Sequence, residues 1–333
     1  MPKKNILLIC GGGGTEHEIS IISAKYFLDQ LRQIEELTPH YLCIEKDGRR
    51  TNLEGQDCEL RKAGEIFNRE TKETITLDYA IPCIHGPPGE NGQIQSVFEL
   101  MGLPYLGAGS EASIHCFNKV TTKLWLSALG IANSPSLFCY ENTAEERERI
   151  EQFFKEANED IFIKASNQGS SVGCYHVTKV DQIDDILSKA LSYSSYALVE
   201  KTMKARELEV SVFEFKGEII GTFPGEISCP SQFYSYEEKY SSSGKTKTLV
   251  EAPGLSKEIK EKIQEMAIKA FKGLNLKDLA RIDFFLTENN EIYINEINTF
   301  PGHTPISMFP MMMENHGIKY GDFLKDRILT SIK

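Results

Sequence analysis

No apolar run in the chain approaches the ~20 residues a membrane-spanning helix needs, so a membrane protein is not expected. The opening MPKKNILLIC imitates a secretion signal only faintly. Its apolar run is short and leads into GGGG without a small-residue cleavage site, and it reads as a first strand. Paired cysteines are also missing: eight stand singly, at 10, 43, 58, 83, 116, 139, 174 and 229, with no CxxC. That argues against a zinc knuckle or a disulfide framework and fits a reducing cytoplasm. No basic stripe offsets the excess of 48 acidic over 37 basic side chains, and a net charge of −11 repels nucleic acid. Two familiar phosphate signatures are absent as well. GxxxxGK[ST] does not occur, GGGG at 11–14 lacks the lysine a Walker loop needs, and no full GxGxxG follows a strand. There is no internal repeat and no low-complexity tract.

What is present is an ordinary globular composition, 41% hydrophobic and 26% charged, in 333 residues. That length is enough for two or three units of about 100–150 residues each. From Asn5 to about Ser110, NILLIC, SIISAKYFLDQLRQ, HYLCIE, YAIPCIH and QSVFELMG alternate strand-like and helix-like patterns, which predicts an open, mostly parallel α/β layer. A second unit begins near Cys116, with a helix ending at Gly130, a helix from Thr143 to about Ala157, and a strand pair around FIKASNQGSSVGC. The third, from about Ser211, holds a hairpin turning at Lys216-Gly217, a polar segment from Glu226 to Glu251, the helix KEIKEKIQEMAIKAFKGL and a last hairpin. The expected class is α/β, passing to α+β in the C-terminal part, with units 1–115, 116–210 and 211–333 and a mobile loop at 226–251.

The last hairpin, RIDFFLTENNEIYINEINT, carries the most pointed chemistry. Asn289-Asn290 suits a two-residue turn, which pairs Asp283 with Glu296 and Arg281 with Asn298 on one face of the ribbon. Carboxylates placed directly opposite each other repel, so the pair calls for a cation. Oxygen ligands of this kind suit Mg²⁺ shared with phosphates far better than zinc. A solvated face whose carboxylates meet nearby lysines is the plainer reading, and the hairpin alone leaves both open.

The segment FIKASNQGSSVGC ends an apolar strand on Lys164 and continues into a loop of small polar residues. That loop reads either as a surface turn or as backbone and hydroxyl donors lying over a phosphate. About 35 residues on, the strand YALVEK carries Glu200 and Lys201. A lysine, a glycine-rich hairpin loop and a magnesium-type carboxylate pair together describe a nucleoside triphosphate site held by hairpins.

GGGGTEHEISIISA, HGPPGENGQIQ, LPYLG, NKVTTK, KASNQGSSVG, VEK before Glu207, FYSYEEKY, RIDFF and NEINTFPGHTPISMFP follow one another along the chain. With them the sequence resembles the ATP-grasp superfamily and, within it, the D-alanine:D-alanine ligase family, over nearly its whole length. The resemblance implies a three-domain ATP-grasp fold. It also implies a reaction in which ATP phosphorylates one D-alanine carboxylate and the amine of a second D-alanine attacks the acyl phosphate. It further implies Asp283, Glu296 and Asn298 as ligands of two Mg²⁺ ions, replaceable by Mn²⁺, and Arg281 with the backbone N–H of Gly302 at the oxyanion. Lys119, Lys164 and Lys239 would neutralise phosphate oxygens, and Ser170, Ser171 and their amides would cover the transferring phosphate. Leu198, Glu200 and Lys201 would meet adenine and Glu207 the ribose. Glu16 would anchor the first substrate's ammonium through a network with Ser170 and Tyr240, with His85 nearby. Ser307 would meet the second substrate or the acyl phosphate, a role Lys239 could share. A homodimer in the cytoplasm, serving peptidoglycan precursor synthesis, is the family expectation.

Plainer readings stand beside several of these. His85 can be a structural residue at a strand end, and Glu16 a carboxylate cap at a helix start. Tyr240 can be a half-exposed loop aromatic, and Met311 to Met313 read as helix core. Asn118, Asn91, Ser96 and Ala165 depart from the family pattern of aspartate, aspartate, glycine and proline, and none removes a metal or phosphate ligand. The alternatives are ligation of D-alanine to D-lactate or D-serine, another ATP-grasp amino-acid ligase, or a nucleotide-binding module without turnover. Tyr240 argues against lactate, and the intact charged set argues against loss of turnover.

Overall fold

The structure is a computed structural model that describes residues 2–12, 14–62, 64–228 and 247–332. β1 (Lys4–Gly11) is buried along nearly all its length, as an apolar run in the middle of a parallel sheet must be. α1 (His17–Arg32) crosses back over it to β2 (Leu37–Ile44), and β3 (Arg50–Thr51) adds an antiparallel edge. Next come β4 (Cys58–Arg61), β5 (Glu65–Asn68) and β6 (Thr74–Thr76), a separate antiparallel sheet. Their short, mixed polar sequence gave no strand signal. β7 (Tyr79–Cys83) returns parallel to β1, so the order is β3-β2-β1-β7, the mostly parallel layer the alternation predicts. α2 (Gln93–Met101) packs Phe98 against Leu7 and Ile9, and α3 (Ser110–Phe117) leads away from the layer.

α4 (Lys119–Ala128) is capped by Asn118, whose side chain accepts from the N–H groups of Val120 and Thr121. The residue that departs from the family aspartate thus makes the bond an aspartate would make. Strands β8 (Ser136–Cys139), β9 (Ile161–Ala165), β10 (Cys174–Val177) and β11 (Ala197–Lys201) form an antiparallel sheet in the order β10-β9-β11-β8. α5 (Ala144–Glu156) and α6 (Ile183–Tyr193) pack against it through Ile150, Phe154, Ile183 and Leu187.

The largest sheet runs β15-β14-β12-β16-β17, with β13 also paired to β12. Its strands are β12 (Ala205–Phe215), β13 (Glu218–Gly221), β14 (Gly225–Ser228), β15 (Lys247–Leu249), β16 (Leu279–Thr287) and β17 (Ile292–Asn298). α7 (Lys257–Gly273), α8 (Met308–Asn315) and α9 (Tyr320–Ser331) complete this part. The Lys216-Gly217 turn has positive φ at both residues, 52° and 84°, as a tight two-residue hairpin requires. The polar segment 226–251 begins and ends in β14 and β15, which pair with each other; 229–246 lies outside the described residues. The last hairpin does not close on Asn289-Asn290. Thr287 and Glu291 close a three-residue loop ending on Asn290 at φ 61°. A bulge that leaves Asn295 unopposed then restores the predicted pairing, so Asp283 faces Glu296 and Arg281 faces Asn298.

One apolar cluster joins the N-terminal layer to the C-terminal helices: Ile6, Leu8, Cys10 and Phe27 meet Phe213, Phe309, Tyr320 and Phe323. A polar tie reinforces it. Asp278 accepts from the Gly107 N–H at 2.8 Å and from Arg327 Nε at 2.8 Å.

Candidate active site

Between β9 and β10 the chain makes the small-residue loop. Ser170 and Ser171 are both left-handed, at φ 50° and 63°, a conformation that costs side-chain-bearing residues about 1–3 kcal/mol each and concentrates at functional sites. Gly173, at φ 67°, has no room for a side chain, since a Cβ there would lie 2.8 Å from that of Ala165. The loop is tied to the start of α1 by Ser170 Oγ, which donates to Glu16 Oε1 at 2.7 Å. Glu16 sits at the N-cap position but makes no side-chain cap bond, so its carboxylate serves the loop contact instead. Gly86 and Gly169 flank that carboxylate; a Cβ at either would come within 3.5 and 3.7 Å of Oε2. Next to Gly86, His85 is buried, with Nε2 2.9 Å from Ser23 Oγ and Nδ1 3.6 Å from Glu90 Oε1.

Lys119 spans the loop and the last hairpin. Its Nζ donates to the Gln168 carbonyl at 2.7 Å and lies 3.8 Å from Glu296 Oε2. On the sheet below, Glu209, Asp283 and Glu296 are neighbours across β12, β16 and β17. Three carboxylates abreast need positive charge among them. Arg281 supplies part of it, holding Asp283 through Nε and Nη2 at 2.8 Å each and approaching Glu209 at 3.4 Å. Burial opposes the guanidinium's charge, but Asp283 and Glu209 hold its pKa well above the ordinary value. Asn298 Nδ2 donates to Asp283 Oδ2 at 3.0 Å.

Glu200 forms a second charged centre, buried between Lys123 and Lys164 at 2.6 Å each and accepting from Ser134 Oγ. Burial pushes this carboxyl up, yet Lys164 and Lys123 prevail and hold it well below the usual carboxylate range. For Lys164, burial works against the charge, but Glu200 raises its pKa above the ordinary lysine value. Lys123 is shifted down, chiefly by burial.

Other predicted positions are placed as follows. Leu198 is buried mid-strand, opposite Phe138 and Lys164. Lys201 ends β11, its N–H on the Pro135 carbonyl, and Glu207 is exposed on β12. Gly302 lies against Ser307, whose Oγ accepts from the Thr304 N–H at 3.0 Å; a Cβ at Gly302 would stand 3.0 Å from that oxygen. Lys239 and Tyr240 lie outside the described residues. Three residues beside the predicted positions escaped the sequence reading. Lys123 was visible as a lysine between Val120 and Leu126 on the buried face of α4. Glu209 alternates with Glu207 in RELEV but needed the register of β12 on β16 to be recognised. His303, fully buried with Nδ1 2.8 Å from the Tyr320 hydroxyl, gave no signal beyond its place in PGHTP.

Two antiparallel sheets, one carrying Lys164 and Glu200 and the other the carboxylate face, linked by Lys119 beneath a serine-glycine loop, are the arrangement of the ATP-grasp class of enzymes. Residues 5–108 match the family model described as D-ala D-ala ligase N-terminus, and residues 125–330 match D-ala D-ala ligase C-terminus. The chain belongs to the D-alanine–D-alanine ligase family. It is 51% identical over 330 residues to the D-alanine–D-alanine ligase of Shewanella sp. (strain ANA-3), covering 97% of each chain. Among solved structures, D-alanyl-alanine synthetase A from Vibrio cholerae O1 biovar eltor str. N16961 superposes with a TM-score of 0.94 at 45% identity, covering 100% of this chain and 99% of that one. VanG D-Ala:D-Ser ligase from Enterococcus faecalis gives 0.86 at 25%, covering 99% and 100%.

Proposed function

We propose that the protein joins two D-alanine molecules into D-alanyl-D-alanine with ATP as phosphoryl donor. The observation that carries this reading is Lys119, which reaches from the serine loop to Glu296 and so brings the loop over the carboxylate face. The Ser170–Glu16 bond sets the Glu16 carboxylate beside that loop, where it takes the first substrate's ammonium. The carboxylate of that substrate attacks the terminal phosphoryl group; an O–P bond forms and the bond to ADP breaks. The second amine, deprotonated, then attacks the acyl carbon, a C–N bond forms, and phosphate leaves. Arg281 and the Gly302 N–H stabilise the oxyanion, and Ser307 meets the second substrate.

Lys119 and Lys164 neutralise phosphate oxygens, while Glu200 holds Lys164 in place. Ser171 covers the phosphoryl group, Lys201 and Leu198 border the adenine, and Glu207 takes the ribose. Lys239 and Tyr240 keep the roles the resemblance gives them. Asp283, Glu296 and Asn298, an oxygen-bearing set on one sheet face, fit two Mg²⁺ ions or Mn²⁺ and would hold them. Bound there, the ions would supply charge neutralisation at the phosphates. His85 positions the turn around Glu16 through Ser23 and Glu90. The division into units 1–115, 116–210 and 211–333, the homodimer and the cytoplasmic setting belong to the same reading.

Purified protein with ATP, Mg²⁺ and a panel of D- and L-amino acids plus D-lactate, followed by phosphate release and product mass, tests it. D-alanine alone should give dipeptide. Phosphate release only with D-serine or D-lactate as partner would transfer the assignment to those ligases, and none with any substrate would remove it.

A further inference from the structure

A second cluster of ligand-type side chains lies at the carboxyl ends of β1 and β2, apart from the phosphate cleft. His17 opens α1, Cys43 sits near the end of β2 and Glu45 just beyond it. Each offers one ligand atom, and these atoms all lie within 4.8 Å of one another. His17 and Cys43 are buried and Glu45 is half-buried.

The surroundings orient two of the three. His17 Nδ1 lies 2.6 Å from the Gly12 carbonyl, which requires that nitrogen to carry the proton and leaves Nε2 with a lone pair. Histidines that bind metals are held in this way. Glu45 accepts from Thr51 Oγ1 at 2.5 Å. Cys10 stands on the neighbouring strand in register with Cys43. Gly11, at φ 83°, keeps space beside the Cys43 sulfur, because a Cβ there would approach it to 2.9 Å. Carboxylate, imidazole and thiol thus converge, the first two each with a supporting hydrogen bond.

We propose that His17, Cys43 and Glu45 form a binding site for a divalent cation of the zinc class, with water as fourth ligand. One sulfur, one nitrogen and one oxygen make a mixed donor set that suits Zn²⁺ and not Mg²⁺, which takes oxygen. With metal–ligand distances of about 2.0–2.3 Å, tetrahedral ligands stand about 3.4–3.6 Å apart, so the side chains need close by only about 1 Å. The cation would clamp the start of α1 to the end of β2, one residue from Glu16. The site does not depend on the ligase reading.

Co²⁺ is the probe, because a thiolate ligand gives it a charge-transfer absorption that the oxygen ligands of the phosphate cleft cannot produce. The full-length protein, reduced and stripped of metal with a chelator, is titrated with Co²⁺. The band should saturate at one equivalent and be displaced by an equivalent of Zn²⁺, which such sites bind more tightly. It should vanish in Cys43→Ser, weaken at least tenfold in affinity in His17→Gln, and persist in Cys174→Ser. Absence of the band at equimolar Co²⁺, or its survival in Cys43→Ser, would overturn the site. If Cys43→Ser does not fold, undiminished affinity in His17→Gln would do the same.

Discussion

Glu200 shows how a buried charge is made tolerable: two ammonium groups at 2.6 Å and the Ser134 hydroxyl surround it. Removing the carboxylate leaves two lysines repelling in a dry setting, a change that costs about 3–5 kcal/mol. Glu200→Gln should therefore lower unfolding free energy by that order in a denaturant titration, and an effect below about 1 kcal/mol would contradict the geometry. The sign with pH follows from the depressed folded pKa. The stabilisation is present above the ordinary carboxylate value of 4.5 and is lost as pH falls below it. His303 acts in the same direction at higher pH. Burial, and then the charge of His85, holds it well below 6.5, so below that pH the unfolded chain binds a proton the fold refuses. Stability should fall as the pH drops below about 6.5. His303→Phe keeps the ring contacts with Phe27, Phe300 and Phe309 and should flatten that slope in melting curves, at the expense of the Tyr320 bond. An unchanged slope would assign the pH dependence elsewhere.

At the scale of elements, the last hairpin decides the site. Its register at Asp283 and Arg281 was legible because alternation and opposing charge fixed which residues share a face. The turn was not. Asn289-Asn290 resembles a two-residue loop, but the hairpin uses three residues and an Asn295 bulge, two departures that cancel at the site. Deleting Asn295 removes the extra residue yet keeps Glu296 opposite Asp283 and Asn298 opposite Arg281, because the ladder then continues without a break from the Phe284–Ile294 pair. Turnover should persist and circular dichroism keep the strand signal; turnover below detection would show that the local twist of the bulge, and not the pairing alone, sets the carboxylate face. The Glu16–Ser170 contact was likewise legible by resemblance, and Glu16 makes no side-chain cap bond at the start of α1. Pairings between distant elements were not legible. Glu209 beside Asp283, and Lys123 on Glu200, depend on strand register and helix placement that no local pattern encodes.

Across the whole molecule, the N-terminal layer and the C-terminal helices share one apolar cluster and are locked by Asp278, Gly107 and Arg327. This packing joins the layer that carries Glu16 to the part that carries Asp283, the two residues to which the proposed function assigns the first substrate and the metal ions. Arg327→Met leaves Asp278 buried without its cation, and burial already pushes that carboxyl up. The variant should lose about 3 kcal/mol or more of stability by denaturant titration, and near-parent stability would show the tie to be dispensable. The central claim is that Glu16, the serine loop and the carboxylate face together activate one D-alanine as its acyl phosphate. D-Alanine labelled with ¹⁸O in its carboxylate, incubated with ATP, Mg²⁺ and the purified protein, tests this by mass spectrometry of the products. One labelled oxygen should pass into the inorganic phosphate for each D-alanyl-D-alanine formed; dipeptide accompanied by unlabelled phosphate, or no dipeptide at all, would contradict the account.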